Sequence, residues 1–155
     1  MLKKILKVVV ILIVVAFVVI QFFRPDFNNP PENPGDTLEA STAVPPDVEA
    51  ILSRSCADCH SNRTTYPWYA QIAPSSWLLS SHIQEGRQNL NISVWNTYDT
   101  RKKVRKLGAM CDEVQKGEMP LPSYLWVHWS AKLREGDAKT LCDWDEAEIN
   151  RLQPQ

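Results

Sequence analysis

The hydrophobic residues of this chain form one long block at the N-terminus. Residues 8–20 contain no polar side chain, and together with Ile5 and Leu6 the run to Phe23 covers 19 residues. A helix of about 20 mainly apolar residues is long enough to cross a bilayer. Lysines precede the block, at Lys3, Lys4 and Lys7. Positive charges flank membrane helices on the cytoplasmic side, so the pattern predicts a transmembrane anchor over residues 1–23, with the rest of the chain exported.

A cleaved signal peptide is the alternative interpretation of the same block. Signal cleavage requires small residues after the apolar segment. Here the segment is followed by Gln21, Phe22, Phe23, Arg24 and Pro25, which are bulky. The sequence therefore favours an anchor that is not cleaved.

Proline dominates the next segment. Six of the 11 prolines lie between Pro25 and Pro46. Proline-rich segments favour extended, semi-rigid conformations. Residues 24–46 are therefore predicted to be a linker that holds the following domain away from the membrane.

Hydrophobic residues in the remainder, residues 47–155, recur at helical spacing. The pattern predicts four helices: one after Pro45 and Pro46, one from Pro74 to about Gly86, one capped by Asp99 or Thr100 and ended by Gly117, and one near the C-terminus. No segment shows the period-two alternation of a strand. The fold class predicted is all-α, with long loops at residues 61–73 and 89–98; loops of that length are often functional.

Charge restricts the partners. Lys+Arg is 17 and Asp+Glu is 18, which gives a net charge of −1 and no basis for nucleic-acid binding. Five of the six residues 101–106 are nevertheless basic. Such a run is either a solvated helix face or a docking surface for an acidic redox partner or anionic lipid.

The motif that carries chemistry is C-x-x-C-H at Cys56, Cys59 and His60, the attachment signature of c-type haem. One helical turn brings Cys56 and Cys59 to the same side, where their thiols can bond to the two haem vinyl groups. His60 then becomes the proximal iron ligand. Three alternatives remain: a thiol redox site, half of a zinc site, and a local disulfide.

The distal iron ligand is predicted to be Met119, which lies in a proline-containing loop 59 residues after His60. Met110, His82 and His128 are the other candidates, and an open sixth site is also possible. Aromatic residues near the motif and this loop are expected to wall the haem. They are Tyr66, Trp68, Tyr69, Trp77, Trp95, Tyr124 and Trp126.

The chain resembles the bacterial membrane-anchored haem-binding domain family, whose members contain one C-x-x-C-H motif. The matching stretches are residues 54–62, 66–69, 72–74, 77–78, 85–87, 95–96 and 117–124. The resemblance implies one covalent haem c on Cys56 and Cys59, with His60 as proximal ligand. The plan is similar to that of class I cytochromes c, in which a downstream loop methionine is the distal ligand, and this supports Met119.

Two cysteines stand apart from the motif. Cys111 and Cys142 both lie on apolar helix faces, where they are either small buried hydrophobic residues or partners in a disulfide.

The function predicted is one-electron transfer by a membrane-anchored haem domain on the periplasmic or extracellular side, acting with a redox partner protein that the sequence does not identify. The chain is then a carrier and not an enzyme. The first alternative is a haem-based ligand sensor or a peroxidase-like enzyme with an open sixth site. The second alternative is a non-haem thiol redox or metal module.

Overall fold

The computed structural model describes residues 1–153, and within that range every regular element is helical, which confirms the all-α prediction. The α-helices are α1 Leu2–Ile20, α2 Leu38–Ser41, α3 Pro46–Ser55, α4 Ala57–His60, α5 Ser75–Asn89, α6 Thr100–Lys116, α7 Pro122–Leu125 and α8 Asp137–Leu152. Short 3-10 helices lie between them, at Pro34–Asp36, Trp68–Gln71, Ile92–Thr97 and Trp129–Ala131.

The ends of the longer helices follow the local sequence signals. The side chain of Asp99 accepts a hydrogen bond of 2.7 Å from the backbone N–H of Lys102, which caps α6. Gly117 ends that helix at φ 73°, a left-handed conformation that glycine adopts without steric cost. The Gly117 turn leads into the loop that carries Met119.

Helix α5 runs one turn further than the sequence predicts. The sequence predicts a helix end near Gly86, but the helix continues to Asn89 and Gly86 is buried inside it. A glycine inside a helix interior costs free energy, so its presence requires a packing reason. The reason is a close approach to the backbone of Cys59.

The core lies between α3, α6, α8 and the 3-10 helix Ile92–Thr97. Its buried side chains are Leu38, Val48, Leu52, Ile92, Trp95, Leu107, Val114, Leu141 and Trp144. Because α3 packs against this core, the residues that follow its C-terminus are held at a defined position. Those residues are the C-x-x-C-H motif.

The proline-rich segment is part of the domain and does not hold it at a distance. Leu38 is only 2% exposed and belongs to the core. Asn29 and Glu32 form hydrogen bonds to Thr64 and Ser93. The prediction of a linker over residues 24–46 is therefore wrong for this packed part, because apolar and hydrogen-bonding side chains between the prolines give the extended chain a surface to bind.

A disulfide joins α6 to α8. The structure bonds Cys111 to Cys142, with their Cα atoms 5.0 Å apart and a sequence separation of 31. The bond lies next to the core and closes a loop that contains the Met119 segment. It therefore restricts the unfolded chain in the region that completes the functional site.

We expect the double variant Cys111→Ser/Cys142→Ser to be less stable than the parent by about 3 to 4 kcal/mol, from the loop entropy of a cross-link of this length. Urea unfolding followed by circular dichroism measures this difference. Addition of reductant to the parent should reproduce the loss, whereas an unchanged midpoint in both experiments would contradict the structural role of the bond.

Helix α1 extends away from the domain, and each of its residues from Leu2 to Val19 is exposed. Only its C-terminal end contacts the domain, where the Gln21 amide forms two hydrogen bonds with the backbone of Ala73, at 2.9 and 3.0 Å. Within residues 1–153, no helix combines the length and the apolar character that are required to cross a membrane.

Candidate functional site

The C-x-x-C-H motif forms a single helical turn that is set off from the helix before it. Helix α3 ends at Ser55, Cys56 departs from helical geometry at φ −124°, and α4 begins at Ala57. The backbone N–H of His60 donates a 3.0 Å hydrogen bond to the carbonyl of Cys56, which closes the turn. Cys56 and Cys59 are both free thiols. The side chains of Cys56, Cys59 and His60 all line one crevice.

Two adjoining crevices meet at this turn, and the larger has a volume of about 780 Å³. Such a volume is typical of sites that bind a cofactor-sized ligand. Residues shared by both crevices are Ser55, Cys56, His60, Asn89, Met119 and Pro120. The larger one is further lined by apolar side chains from α6 and the loop before α8, among them Met110, Val114 and Leu133.

The imidazole of His60 is oriented by a backbone carbonyl. Its Nδ1 lies 3.0 Å from the oxygen of Leu90. A carbonyl only accepts hydrogen bonds, so Nδ1 carries the proton and Nε2 keeps its lone pair. Burial lowers the pKa of His60, which favours the neutral ring. A neutral histidine with its second nitrogen held in this way is the usual form of a metal-binding imidazole.

The two thiols of the motif are protonated at neutral pH. Burial raises the pKa of Cys56 to about 12 and that of Cys59 to about 11. Cysteines in thiol redox sites show the opposite change, a lowered pKa that provides a thiolate. Within the described residues there is also no group of three or more potential ligands that would complete a zinc site. The raised pKa values of the two thiols disfavour a thiol redox site.

Gly86 explains how α5 reaches the motif. A Cβ atom added at Gly86 would lie 2.6 Å from the carbonyl oxygen of Cys59 and 3.1 Å from its Cβ. Only glycine permits this approach of α5 to α4. The neighbouring Arg87 donates 2.8 and 3.0 Å hydrogen bonds to the Ser61 carbonyl and the Thr64 hydroxyl, and so fixes the chain that leaves the motif.

We expect Gly86→Ala to displace α5 from the motif, to destabilise the protein by about 1 to 3 kcal/mol as overpacking does, and to reduce the amount of bound haem. Gly108→Ala is the matched control, because a Cβ at this helical position would meet no atom within 4 Å beyond its chain neighbours and its own helix backbone. The control should be neutral or slightly stabilising. Haem absorbance per protein and the unfolding midpoint measure both variants, and equal behaviour of the two would refute the role of Gly86.

The structure distinguishes the candidate distal ligands by location. Met119 lines both crevices, Met110 lines the larger and His82 the smaller. His128 is engaged elsewhere: its Nε2 lies 2.7 Å from the Tyr69 hydroxyl. Met119 thus shares both crevices with His60, whereas the ring nitrogen of His128 already has a hydrogen-bond partner.

Part of the basic run lines the larger crevice, through Lys102, Arg105 and Lys106. Lys106 is 9% exposed and donates a hydrogen bond to the carbonyl of Asn89. Burial lowers the pKa of this lysine. Lys102 lies over the ring of Tyr98, 4.1 Å from its centre. The run is therefore not simply a solvated face.

The sequence gives no signal for the polar contacts of Tyr124 or for the burial of Asp145. The Tyr124 hydroxyl donates a 2.8 Å hydrogen bond to the Asp58 carboxylate inside the motif, and burial with this contact raises the pKa of Tyr124. Asp145 is 1% exposed without a hydrogen-bond partner in the described chain, and burial raises its pKa to about 8. Their positions depend on tertiary packing and not on spacing.

The expected aromatic wall is only partly present. Tyr124 lines the smaller crevice, but Trp68 and Trp126 are 77% and 83% exposed. The prediction that these two tryptophans enclose the cofactor is wrong, since their side chains point to the outside of the domain.

A comparison with protein families matches residues 15–147 to the haem-binding domain. The chain belongs to this family. The match includes the motif, both crevices and the proline-rich segment that packs on the domain. Searches of curated proteins and of solved structures give no match.

The residues of this haem-binding domain fit a haem. The larger crevice is mainly apolar and offers the imidazole of His60, the thiol of Cys56 and basic side chains, and the adjoining smaller crevice adds the thiol of Cys59. The hydroxyl of Ser55 at the crevice wall is buried and has no hydrogen-bond partner among the described residues. A polar group left in this state is typical of a site that a ligand completes.

Proposed function

We propose that the protein carries one haem c, bonded to Cys56 and Cys59, and that it transfers single electrons. The observation that supports this most directly is the arrangement of three side chains at one crevice. Two free thiols lie within one helical turn of an imidazole whose Nδ1 is held by Leu90. The iron of a bound haem would supply the one-electron couple between its ferric and ferrous states.

The protonated thiols suit thioether formation. Each thiol would give its sulfur to one carbon of a vinyl group and its hydrogen to the other, so that atoms and electrons balance without an oxidant. The raised pKa of Cys56 and of Cys59 favours the protonated thiols, which would supply this hydrogen. His60 would bind the iron through Nε2.

The basic side chains of α6 would hold the haem carboxylates. Lys102, Arg105 and Lys106 line the crevice from one side. Guanidinium and ammonium groups form charge-assisted hydrogen bonds with carboxylates. This assignment also gives a physical reason for the basic run in a chain whose net charge is −1.

Met119 is our proposed distal ligand. It belongs to a loop that is fixed at its start by the left-handed Gly117 and by hydrogen bonds from the N–H groups of Glu118 and Met119 to the carbonyl of Glu113. A thioether held by such a loop suits electron transfer, because methionine and histidine together keep the iron coordination unchanged between oxidation states.

The binding of carbon monoxide to the reduced protein distinguishes an electron carrier from a sensor or a peroxidase-like enzyme. We expect that the reduced full-length protein in detergent does not bind carbon monoxide. We also expect one reversible one-electron transition in a potentiometric titration. Rapid and complete binding of carbon monoxide would instead establish an open sixth site and overturn the assignment of Met119.

We also propose that α1 anchors the protein in the cytoplasmic membrane, with the haem-binding domain on the outer side. Support comes from its continuous exposed apolar surface and from the three lysines at its start. The disulfide adds to it, since such bonds persist in oxidising compartments. Protease treatment of bacterial spheroplasts should degrade the domain and leave the anchor in the membrane fraction; full protection would contradict this orientation.

A further inference from the structure

Exposed aromatic residues surround the point at which α1 enters the domain. This aromatic rim consists of Phe22, Phe23, Trp68, Trp77, Trp126 and Trp129. Trp68, Trp126 and Trp129 are 77%, 83% and 82% exposed, and Phe22 is 83% exposed. Burial of such side chains is strongly favourable, so their exposure in one region indicates a surface that is covered by something apolar.

The first contact within the rim joins the segment that follows α1 to α5. The indole N–H of Trp77 donates a 2.6 Å hydrogen bond to the carbonyl of Phe23. Arg24 donates to the carbonyl of Gln71, and Gln21 binds the backbone of Ala73. The segment after α1 is therefore attached to the 3-10 helix Trp68–Gln71 and to the start of α5.

The second contact joins that 3-10 helix to the loop after α7. The hydroxyl of Tyr69 lies 2.7 Å from Nε2 of His128, and the ring of Tyr69 packs edge-on against Trp68 with centroids 5.9 Å apart. His128 is in turn stacked on Tyr124, at 4.2 Å. Trp126 and Trp129 flank His128 in the chain. The three segments of the rim are thus linked by side-chain contacts that begin at the end of α1.

We propose that the aromatic rim lies in the headgroup region of the bilayer, so that the haem-binding domain rests on the membrane surface. The inference rests on the proposed anchoring by α1. Beyond the exposed apolar residues of α1, the exposed Phe22 and Phe23 follow within three positions and belong to the rim. Tryptophan suits this occupant because its ring is apolar and its N–H is polar, and it is enriched at membrane interfaces.

Contact of the rim with the membrane would also set the position of the haem site relative to the bilayer. Tyr124 connects the rim to the crevice, because its ring stacks on His128 while its hydroxyl binds Asp58 of the motif. A rim in contact with lipid would place the smaller crevice near the membrane surface. The redox partner would then approach from the exposed sides of the domain or from within the membrane plane.

A lipid-soluble carbene photolabel tests the proposal. The full-length haem protein is reconstituted in phosphatidylcholine nanodiscs, labelled, and mapped by mass spectrometry; a parallel sample is oxidised by hydroxyl radicals in the aqueous phase. We expect label on α1 and on the peptides that contain Trp68, Trp126 and Trp129, and loss of their radical oxidation. Trp95 and Trp144, which are 1% and 8% exposed, are the internal controls and should remain unlabelled.

The other outcomes separate this inference from the anchor. Label on α1 with rapid radical oxidation of the rim would show that the domain stands away from the lipid, and would overturn the inference alone. Label on α1 with a rim protected from both reagents would show that protein covers it, a second copy or another partner, and would also overturn it. Absence of label on α1 would refute the anchor and the inference together.

Discussion

The double variant Cys56→Ala/Cys59→Ala should contain no covalently bound haem. Both thiols are free and lie in the turn that carries His60, and the other two cysteines are bonded to each other in the structure. No other thiol is then available for a thioether. Haem staining after denaturing electrophoresis measures the attachment, and we expect complete loss of the stained band.

The single variants make this test more informative. Cys56→Ala and Cys59→Ala should each retain one thioether and give a weaker stained band. The variant Cys111→Ser/Cys142→Ser is the matched control: it removes the same number of sulfurs yet should retain stained haem at reduced stability. A stained band in Cys56→Ala/Cys59→Ala would place the attachment elsewhere and contradict the proposed chemistry.

Replacement of Met119 by leucine should convert the iron from six-coordinate to five-coordinate. Leucine preserves the apolar volume in the crevice and removes only the sulfur. The reduced variant should bind carbon monoxide, which the parent should not, and its reduction potential should fall because the methionine ligand raises it. Visible spectra and a potentiometric titration measure both changes.

Met110→Leu is the control for this effect. Met110 lines the same larger crevice from α6, so its replacement changes the packing to a similar degree. We expect the parent spectrum in Met110→Leu. A six-coordinate spectrum in Met119→Leu together with a five-coordinate one in Met110→Leu would reverse the assignment, and parent spectra in both would indicate a ligand such as His82.

The helices could be predicted because their signals are local. Prolines at the start of α3 and α5, the Asp99 cap and Gly117 act within a few residues of their own positions. The haem motif is local for the same reason, since one helical turn brings its three functional groups together. These features therefore agree between sequence and structure, apart from the C-terminal end of α5.

Features that depend on distant residues could not be predicted. The carbonyl of Leu90 orients His60 from 30 positions away. Gly86 has the pattern of a helix end, yet its position is required by the backbone of Cys59. Leu38 lies among residues whose composition is typical of a spacer, but one buried leucine and several polar contacts attach the segment to the domain.

The aromatic residues show a further limit of sequence interpretation. Tryptophans near a haem motif are expected to enclose the haem, and the sequence contains no signal that distinguishes an inward from an outward ring. In the structure, Trp95 is buried in the core, whereas Trp68 and Trp126 face outward. The exposed tryptophans can be interpreted as a surface only because side-chain contacts connect them to the segment that follows α1.

The intact mass of the full-length protein, purified from a bacterium that attaches haem to exported proteins, is the most direct test of the central claim. We predict the mass of the polypeptide plus one haem, with the haem on the tryptic peptide of residues 55–63 and Cys56 and Cys59 resistant to alkylation after denaturation. An unmodified polypeptide mass, with both thiols alkylated, would contradict it.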